Sequence, residues 1–352
     1  MIKLFIQKTL LLSAFALMIM SWLLYKDQTG YARISAKFSR NYQAYSIKPF
    51  AQFALSFSPG EILNIINQDT LLINGREGQK LYWLDLKHKE SVEFKPPNIR
   101  DRYDRIITAA YDQHTLLLLT GNSRTVLKQT LFPTKAGQTI VDTMLFGITK
   151  GLPLHGSRMV IKKPVGYKSG CRLFIYDAFS RISKEDTVSF LNFGDCLTSD
   201  GHLAYDGKNA VYYVNTYNSS FTKFDTSLHR VFLKNTIDGT QTLPTVKYDA
   251  ATKSESFRGP HRIINQFIAA DPNHLFVLSG VMATNDLHST FTNHVPIDIY
   301  NANSGAYELS FHLENININR MKGFKISHNI LFIITDSYLY LYNYKNALHE
   351  NS

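Results

Sequence analysis

This sequence predicts an all-β fold assembled from repeated four-stranded units, and three observations carry the prediction. A polar turn followed by an apolar β run recurs along the chain. Each such run is followed by a second, aromatic-bearing β run that often ends on Asp or Asn. Finally, 20 Tyr and 23 Phe in 352 residues favour pleated, half-buried surfaces.

The first set of runs is "NQDTLLIN" (67–74), "DQHTLLLLT" (112–120), "HGSRMVIKK" (155–163), "DGKNAVYYVN" (206–215), "DPNHLFVLS" (271–279) and "SHNILFIIT" (327–335). The second set is "KLYWLDL" (80–86), "TVLKQTL" (125–131), "CRLFIYDA" (171–178), "SFTKFDT" (220–226), "PIDIYNA" (296–302) and "YLYLYNY" (338–344). The aromatic fills space between stacked sheets, and the Asp or Asn opens the next turn by accepting backbone N–H groups. From Leu71 through Leu116, Met159, Val211 and Leu275 to Leu331 the intervals are 45, 43, 52, 64 and 56 residues. A period of this size, with room for an earlier and a later strand in each unit, marks a β-propeller. Six units of form A-B-C-D are expected, with insertions at 236–260 and 281–293. The sixth unit lacks a D strand. The segment 42–60 has no unit of its own, so it is expected to supply that strand and close the ring, leaving no open blade edge.

The turn-strand-strand-(Asp/Asn) repeat over roughly residues 45–345 resembles six-bladed propellers of the NHL and TolB-like kind. That resemblance implies architecture and, for many such proteins, a location outside the bacterial cytoplasm. It carries over no functional residue, and the third unit departs from the pattern where "FGITKGLPLHGS" is broken by Gly and Pro.

The N-terminus reads separately. Residues 9–25, "TLLLSAFALMIMSWLLY", carry no charge and follow Lys3 and Lys8. A run of this length suits one transmembrane helix, and the flanking lysines hold its N-terminal end in the cytoplasm. The alternative is a signal peptide, although no small-x-small cleavage site follows. The expected organisation is therefore a cytoplasmic segment 1–8, a transmembrane anchor (or signal peptide) 9–25, a linker 26–41, a propeller 42–346 and a tail 347–352. The domain is expected on the extracytoplasmic side of the inner membrane, or secreted if the segment is cleaved. The membrane is then one partner, and nucleic acid is not.

Cys171 and Cys196 are the only cysteines. In an oxidising compartment such a pair is expected to form a disulfide. A C–D hairpin pairing Ala178 with Thr187 brings Cys171 opposite Gly194, close to Cys196. Closing that loop is worth roughly 3 kcal/mol in the chain-entropy model.

No catalytic motif and no cofactor signature occurs, and no catalytic or metal-binding residue is assigned. His288, His294 and Asp286 share one loop, but their spacing makes a weak metal site. What remains is charge. The net charge is +10. Sorting the connections of a propeller puts the D–A and B–C loops on one face. That face would hold Arg100, Arg102, Tyr103, Arg105, Arg258, His261, Arg262, Arg320 and Lys322 around the channel mouth, with fewer acids among them. The other face, with Lys87, Lys89 and Asp271 among its charges, is nearly balanced. Arginine forks beside aromatic rings suit carboxylate, sulfate or phosphate groups. The sequence thus points to a membrane-anchored binding module that docks an envelope protein or an anionic ligand on its basic face. The alternative is an enzyme working in the channel, a lactonase-like hydrolase or an oxidoreductase accessory subunit.

Overall fold

A computed structural model of the chain describes residues 12–22, 37–95, 105–112, 115–121, 125–130, 137–142, 145, 147–164, 170–180, 183–185, 195–252, 254–287, 291 and 294–345. Strands β1 (Tyr42–Ile47) and β2 (Ala51–Ala54) come first in the chain but belong to sheets completed at its end. Four meanders follow. They are β3 (Pro59–Asn67), β4 (Thr70–Gly75), β5 (Leu81–Asp85) and β6 (Glu90–Phe94), then β7 (Ile106–Asp112), β8 (Thr115–Thr120), β9 (Thr125–Thr130) and β10 (Gly137–Val141). Next come β11 (Lys150–Pro153), β12 (Arg158–Pro164), β13 (Cys171–Asp177) and β14 (Ser183–Glu185), then β15 (Gly201–Tyr205), β16 (Ala210–Asn215), β17 (Ser220–Asp225) and β18 (Arg230–Asn235). A separate hairpin, β19 (Val246–Asp249) with β20 (Ser254–Phe257), fills the first expected insertion and pairs with no blade. The last two sheets are β21 (Asn265–Ala270), β22 (His274–Ser279), β23 (Val295–Asn301) and β24 (Tyr307–Leu313), and β25 (Met321–Ser327), β26 (Ile330–Thr335) and β27 (Tyr338–Asn343).

These strands make a β-propeller. The innermost strands β3, β7, β11, β15, β21 and β25 touch in succession, and β25 returns to β3. They lie close together because small residues stand between them. A Cβ on Gly151 would come within 2.6 Å of Thr108, and one on Gly323 within 2.9 Å of the Ile62 backbone. Apolar clusters fill the wedges between neighbouring sheets. Leu71, Ile73 and Leu84 meet Phe332, Ile334 and Leu339, for example, and Leu117 and Leu119 meet Met159, Ile161 and Tyr176. The aspartates act as the repeat implied. The Asp206 carboxylate accepts from the N–H of Lys208, Asn209 and Ala210 at 2.8–2.9 Å, and Asp271 accepts from Asn273 and His274 at 2.7 Å.

Ring closure is made by β2, which pairs antiparallel with β27 from Ala51 opposite Leu341 to Ala54 opposite Tyr338. Four differences from expectation stand beside it. Five sheets, not six, are plain four-stranded blades; the β21–β24 sheet has five strands, because β1 adds in parallel to β24. Segment 42–60 therefore serves two sheets, which strand periodicity alone does not distinguish from one long edge. The expected linker 26–41 is docked from residue 37, with the Thr284 and Asn41 amides donating to the Phe38 carbonyl and the Tyr307 hydroxyl. The outer strand of the third unit, expected near 187–193, is β14 at Ser183–Glu185, paired from Tyr176 opposite Ser183. The tail 347–352 lies outside the described residues.

Helix α1 (residues 12–22) carries exposed Leu12, Phe15, Leu17, Met18 and Trp22. Among the described residues, no helix is long and apolar enough to cross a membrane.

The docked segment is fixed by a buried ion cluster. Arg40 Nε donates to Asp298 at 2.7 Å, Nη2 donates to the Val281 carbonyl at 2.9 Å, and Nη1 pairs with Asp286, which also accepts from the Tyr42 hydroxyl. Burial opposes the charge on Arg40, yet Asp298 and then Asp286 raise the guanidinium pKa above its ordinary value. Breaking one partner of such a cluster leaves the others buried and uncompensated, at ~3–5 kcal/mol. Arg40→Met should therefore lower the unfolding free energy measured in urea by that much, and Arg40→Met with Asp286→Asn and Asp298→Asn should recover part of it. Deleting residues 42–60 should abolish the cooperative thermal transition of the whole domain; a retained transition would contradict closure through β2.

Candidate functional site

Contacts between neighbouring blades define the two faces. The Ile106 amide donates to the Gly78 carbonyl, and the Ile264 and Asn265 amides donate to the Thr216 carbonyl. The starts of inner strands thus sit beside the B–C loops of the preceding blade. This is the face expected to be basic. The structure brings to it Arg105 before β7, Arg258, His261 and Arg262 before β21, and Arg320 and Lys322 at the start of β25. Arg100, Arg102 and Tyr103 lie outside the described residues.

These residues are not equivalent. Arg105, Arg258 and Arg320 are exposed and make no salt bridge with any described residue. Lys322 is already paired with Asp336 at 3.1 Å. Arg262 is half-buried, and burial lowers its pKa. His261 stacks on Phe257, with ring centroids 4.0 Å apart, and both rings meet Tyr217 edge-on at 5.5 and 5.2 Å. Phe257 closes the inserted hairpin, so the insertion delivers an aromatic wall to the arginines on either side of His261. Phe257 and Tyr217 do not stand out in the sequence; the visible signal was an aromatic residue directly before Arg258 in "SFRGPHR".

Behind this face lies a polar cluster that sequence reasoning also missed. Lys162 ends an apolar strand and is 1% exposed. Its Nζ donates to the Ser199 carbonyl at 2.7 Å and to Asp200 at 3.2 Å, and Lys150 stands 3.7 Å from the same carboxylate. Although burial works against it, Lys150 and Lys162 hold Asp200 below the usual carboxylate range. The half-buried His202 ring lies beside Phe267, 5.9 Å between centroids. Burial, then the charge of Lys150, pushes its pKa down to about 3.

The expected Cys171–Cys196 disulfide is not formed in this structure, where both residues are thiols. They are nonetheless neighbours in one apolar cluster. Cys196 lies in the turn that precedes β15 and not in the expected C–D hairpin register, which the short β14 shifts. The hydrogen bond to Cys196, and Lys162 against the effect of burial, draws the Cys171 thiol below its ordinary value; the same bond and burial push Cys196 up. Asp286, weighed as a metal ligand, is occupied by Arg40 and Tyr42. His294 lies 6.3 Å from the His312 ring, and His288 is outside the described residues. Among the described residues no three His, Cys, Asp or Glu side chains are grouped to hold a metal ion.

A cavity opens elsewhere. About 610 Å³ is enclosed at the opposite end of the channel, among the A–B turns, where Lys325 is part of the wall.

Ring and loops together define a protein of the β-propeller class. No family model and no curated protein matches the chain. Solved structures do match. One is a member of the duf4221 family from Bacteroides vulgatus, with 7% identity and a TM-score of 0.52, covering 88% of this chain and 98% of that one. Another is a calcium-binding protein, regucalcin, from Agrobacterium tumefaciens, with 10% identity and a TM-score of 0.51, covering 85% and 97%. A third is the WD40-repeat structure of RRP9, with 7% identity and a TM-score of 0.50, covering 87% and 99%. At such identities the likeness is one of fold alone.

His202 gives the cluster a pH signature. The unfolded chain takes up its proton near pH 6.5 and the folded chain only near 3. Between these values the unfolded state binds more protons, so stability is full above the window and falls as pH drops through it. The slope from this group approaches ~1.4 kcal/mol per pH unit. Urea unfolding across about pH 4–7 should show that slope, and His202→Gln should flatten it by nearly one proton.

Proposed function

We propose that this chain is a binding module: an exported propeller, anchored through residues 9–25, that docks an envelope protein or an anionic ligand on its D–A face. The observation that carries the reading is the set of exposed arginines Arg105, Arg258 and Arg320 on one face, free of salt bridges with described residues, with the Phe257–His261–Tyr217 wall next to Arg258. A guanidinium offers a planar fork for carboxylate, sulfate or phosphate, and an adjacent ring adds a stacking surface. A propeller leaves such function to its loops. In this reading the five-stranded sheet counts as one blade, so the ring has six. The outward-facing apolar side chains of α1 support an anchor within the longer uncharged run. In the compartment outside the cytoplasm, the neighbouring Cys171 and Cys196 thiols lose two protons and two electrons to a thiol oxidant and form the disulfide.

Two measurements test this. Arg262→Ala with Arg320→Ala should weaken retention of a membrane-derived partner, or of a dextran sulfate probe, tenfold or more, equivalent to ~1.4 kcal/mol. Lys87→Ala with Lys89→Ala, on the opposite face, should stay within twofold, and equal losses would remove the D–A face as the site. Alkylation of unreduced protein taken from membranes should leave Cys171 and Cys196 unlabelled. Labelling of both would argue against export.

A further inference from the structure

Lys325 is the feature that the docking face does not use. It sits on inner strand β25, half-buried, in the wall of the 610 Å³ cavity at the far end of the channel. It makes no hydrogen bond or salt bridge with any described residue. This sets it apart from Lys162, Lys150 and Lys322, whose ammonium groups all face a carboxylate. Burial lowers its pKa, and Glu61, beyond salt-bridge distance, only partly offsets this. An enclosed ammonium with no counter-ion is costly, and here the space beside it is large enough to admit one.

The walls restrict what that counter-ion can be. Ile66, Tyr111 and Leu154 present half-buried apolar surface, and Asn64 and Asn329 supply neutral polar groups. Two further carboxylates, Asp206 and Asp271, line the same cavity and are held in place by their own turns. Hydrogen bonds from His274 and Tyr344 lower the Asp271 pKa even though burial raises it. Neither acid is paired with Lys325, and their like charge repels a polyanion more strongly than a monoanion. Among the described residues no arginine lines the cavity, so they offer no bidentate grip of the kind that suits phosphate or sulfate.

We propose that the A–B end of the channel is a second site, independent of the D–A face, which binds a small organic monocarboxylate by pairing its carboxylate with Lys325 and laying its apolar part against Ile66, Tyr111 and Leu154. Enclosure by the inner strands makes such a pair stronger than one at the surface, and Lys325 is the only lysine or arginine among the described residues of the wall, which also holds His155 and His328.

Hexanoate is a suitable probe, with hexan-1-ol as its neutral analogue and citrate as a polyanion. Calorimetric titration of the full chain should give one hexanoate per chain, with hexan-1-ol and citrate at least tenfold weaker. Lys325→Met, which keeps length without charge, should weaken hexanoate tenfold or more, and Arg262→Ala with Arg320→Ala should leave it within twofold. A second measurement avoids any folding defect of the variant. In the unsubstituted protein, an amine-acylating reagent should modify Lys325, and saturating hexanoate should slow that modification at least threefold, read by peptide mass. The proposal is overturned if hexanoate does not bind, if citrate binds more tightly, if Lys325→Met binds as well as the parent, if the arginine pair abolishes binding, or if hexanoate gives Lys325 no protection.

Discussion

The four residue pairs between Ala51–Ala54 and Tyr338–Leu341 are the seam on which the molecule depends. Each sheet hides its apolar face only because the next sheet covers it, so the wedge clusters form a cycle with no spare member. Opening the seam uncovers Phe332, Leu339 and Leu341 on one side and Ile62, Leu71 and Ile73 on the other. Main-chain bonds at the seam contribute only about 0.5–1.5 kcal/mol each in net terms. A buried Leu or Phe contributes about 1.5–3 kcal/mol. The apolar wedge therefore supplies most of the holding free energy, and the hydrogen bonds fix the register in which it is applied. β2 is an adequate closing strand at four residues because Phe53, Leu55 and Phe57 pack into the same cluster.

Closure also gives the loops their meaning. With the inner strands arranged in one sense around the ring, their first residues gather at one mouth and their last at the other. The two mouths differ in kind. At one, arginines stand on extended loops beside an aromatic wall, in reach of a large partner. At the other, a lysine lies recessed behind short Asp-anchored turns, in reach of a small molecule only. Between them the Lys150–Lys162–Asp200 cluster keeps two cations and one acid in a fixed arrangement, so charge in the channel wall belongs to the scaffold.

Much of this was legible in the residues. The alternation in "TLLIN" or "AVYYVN", and the Asp or Asn that opens each following turn, report geometry that only neighbouring residues impose. For that reason the second and third strands of each unit fell where the pattern put them. The need for the 42–60 segment to complete the last blade was legible too, because the Tyr-rich hairpin leaves an edge to be paired and that segment has no unit of its own. What was hidden depends on distant partners. Tyr42–Ile47 looks like any edge strand until Arg40 finds Asp298, more than two hundred residues away. Lys162 reads as the polar end of a strand, and only the next blade's Ser199 carbonyl makes it a buried cation. Lys322 and Arg320 are alike in sequence, yet Asp336 takes the first. The shift of the outer strand to β14 moved Cys196 out of the hairpin expected to carry it.

Because the seam joins residues near 50 to residues near 340, the order of synthesis and the order of assembly run in opposite directions. β2 leaves the ribosome before the meanders and finds its place after them. The successive meanders are local and can form as they emerge, but the disc cannot complete until the Tyr338–Asn343 strand exists. Contacts of such high sequence separation slow folding and leave unpaired edges exposed meanwhile. A chain truncated shortly before residue 338 would therefore have nearly all of its blades and no means of sealing them, an aggregation-prone disc whose defect lies at the end opposite the waiting strand.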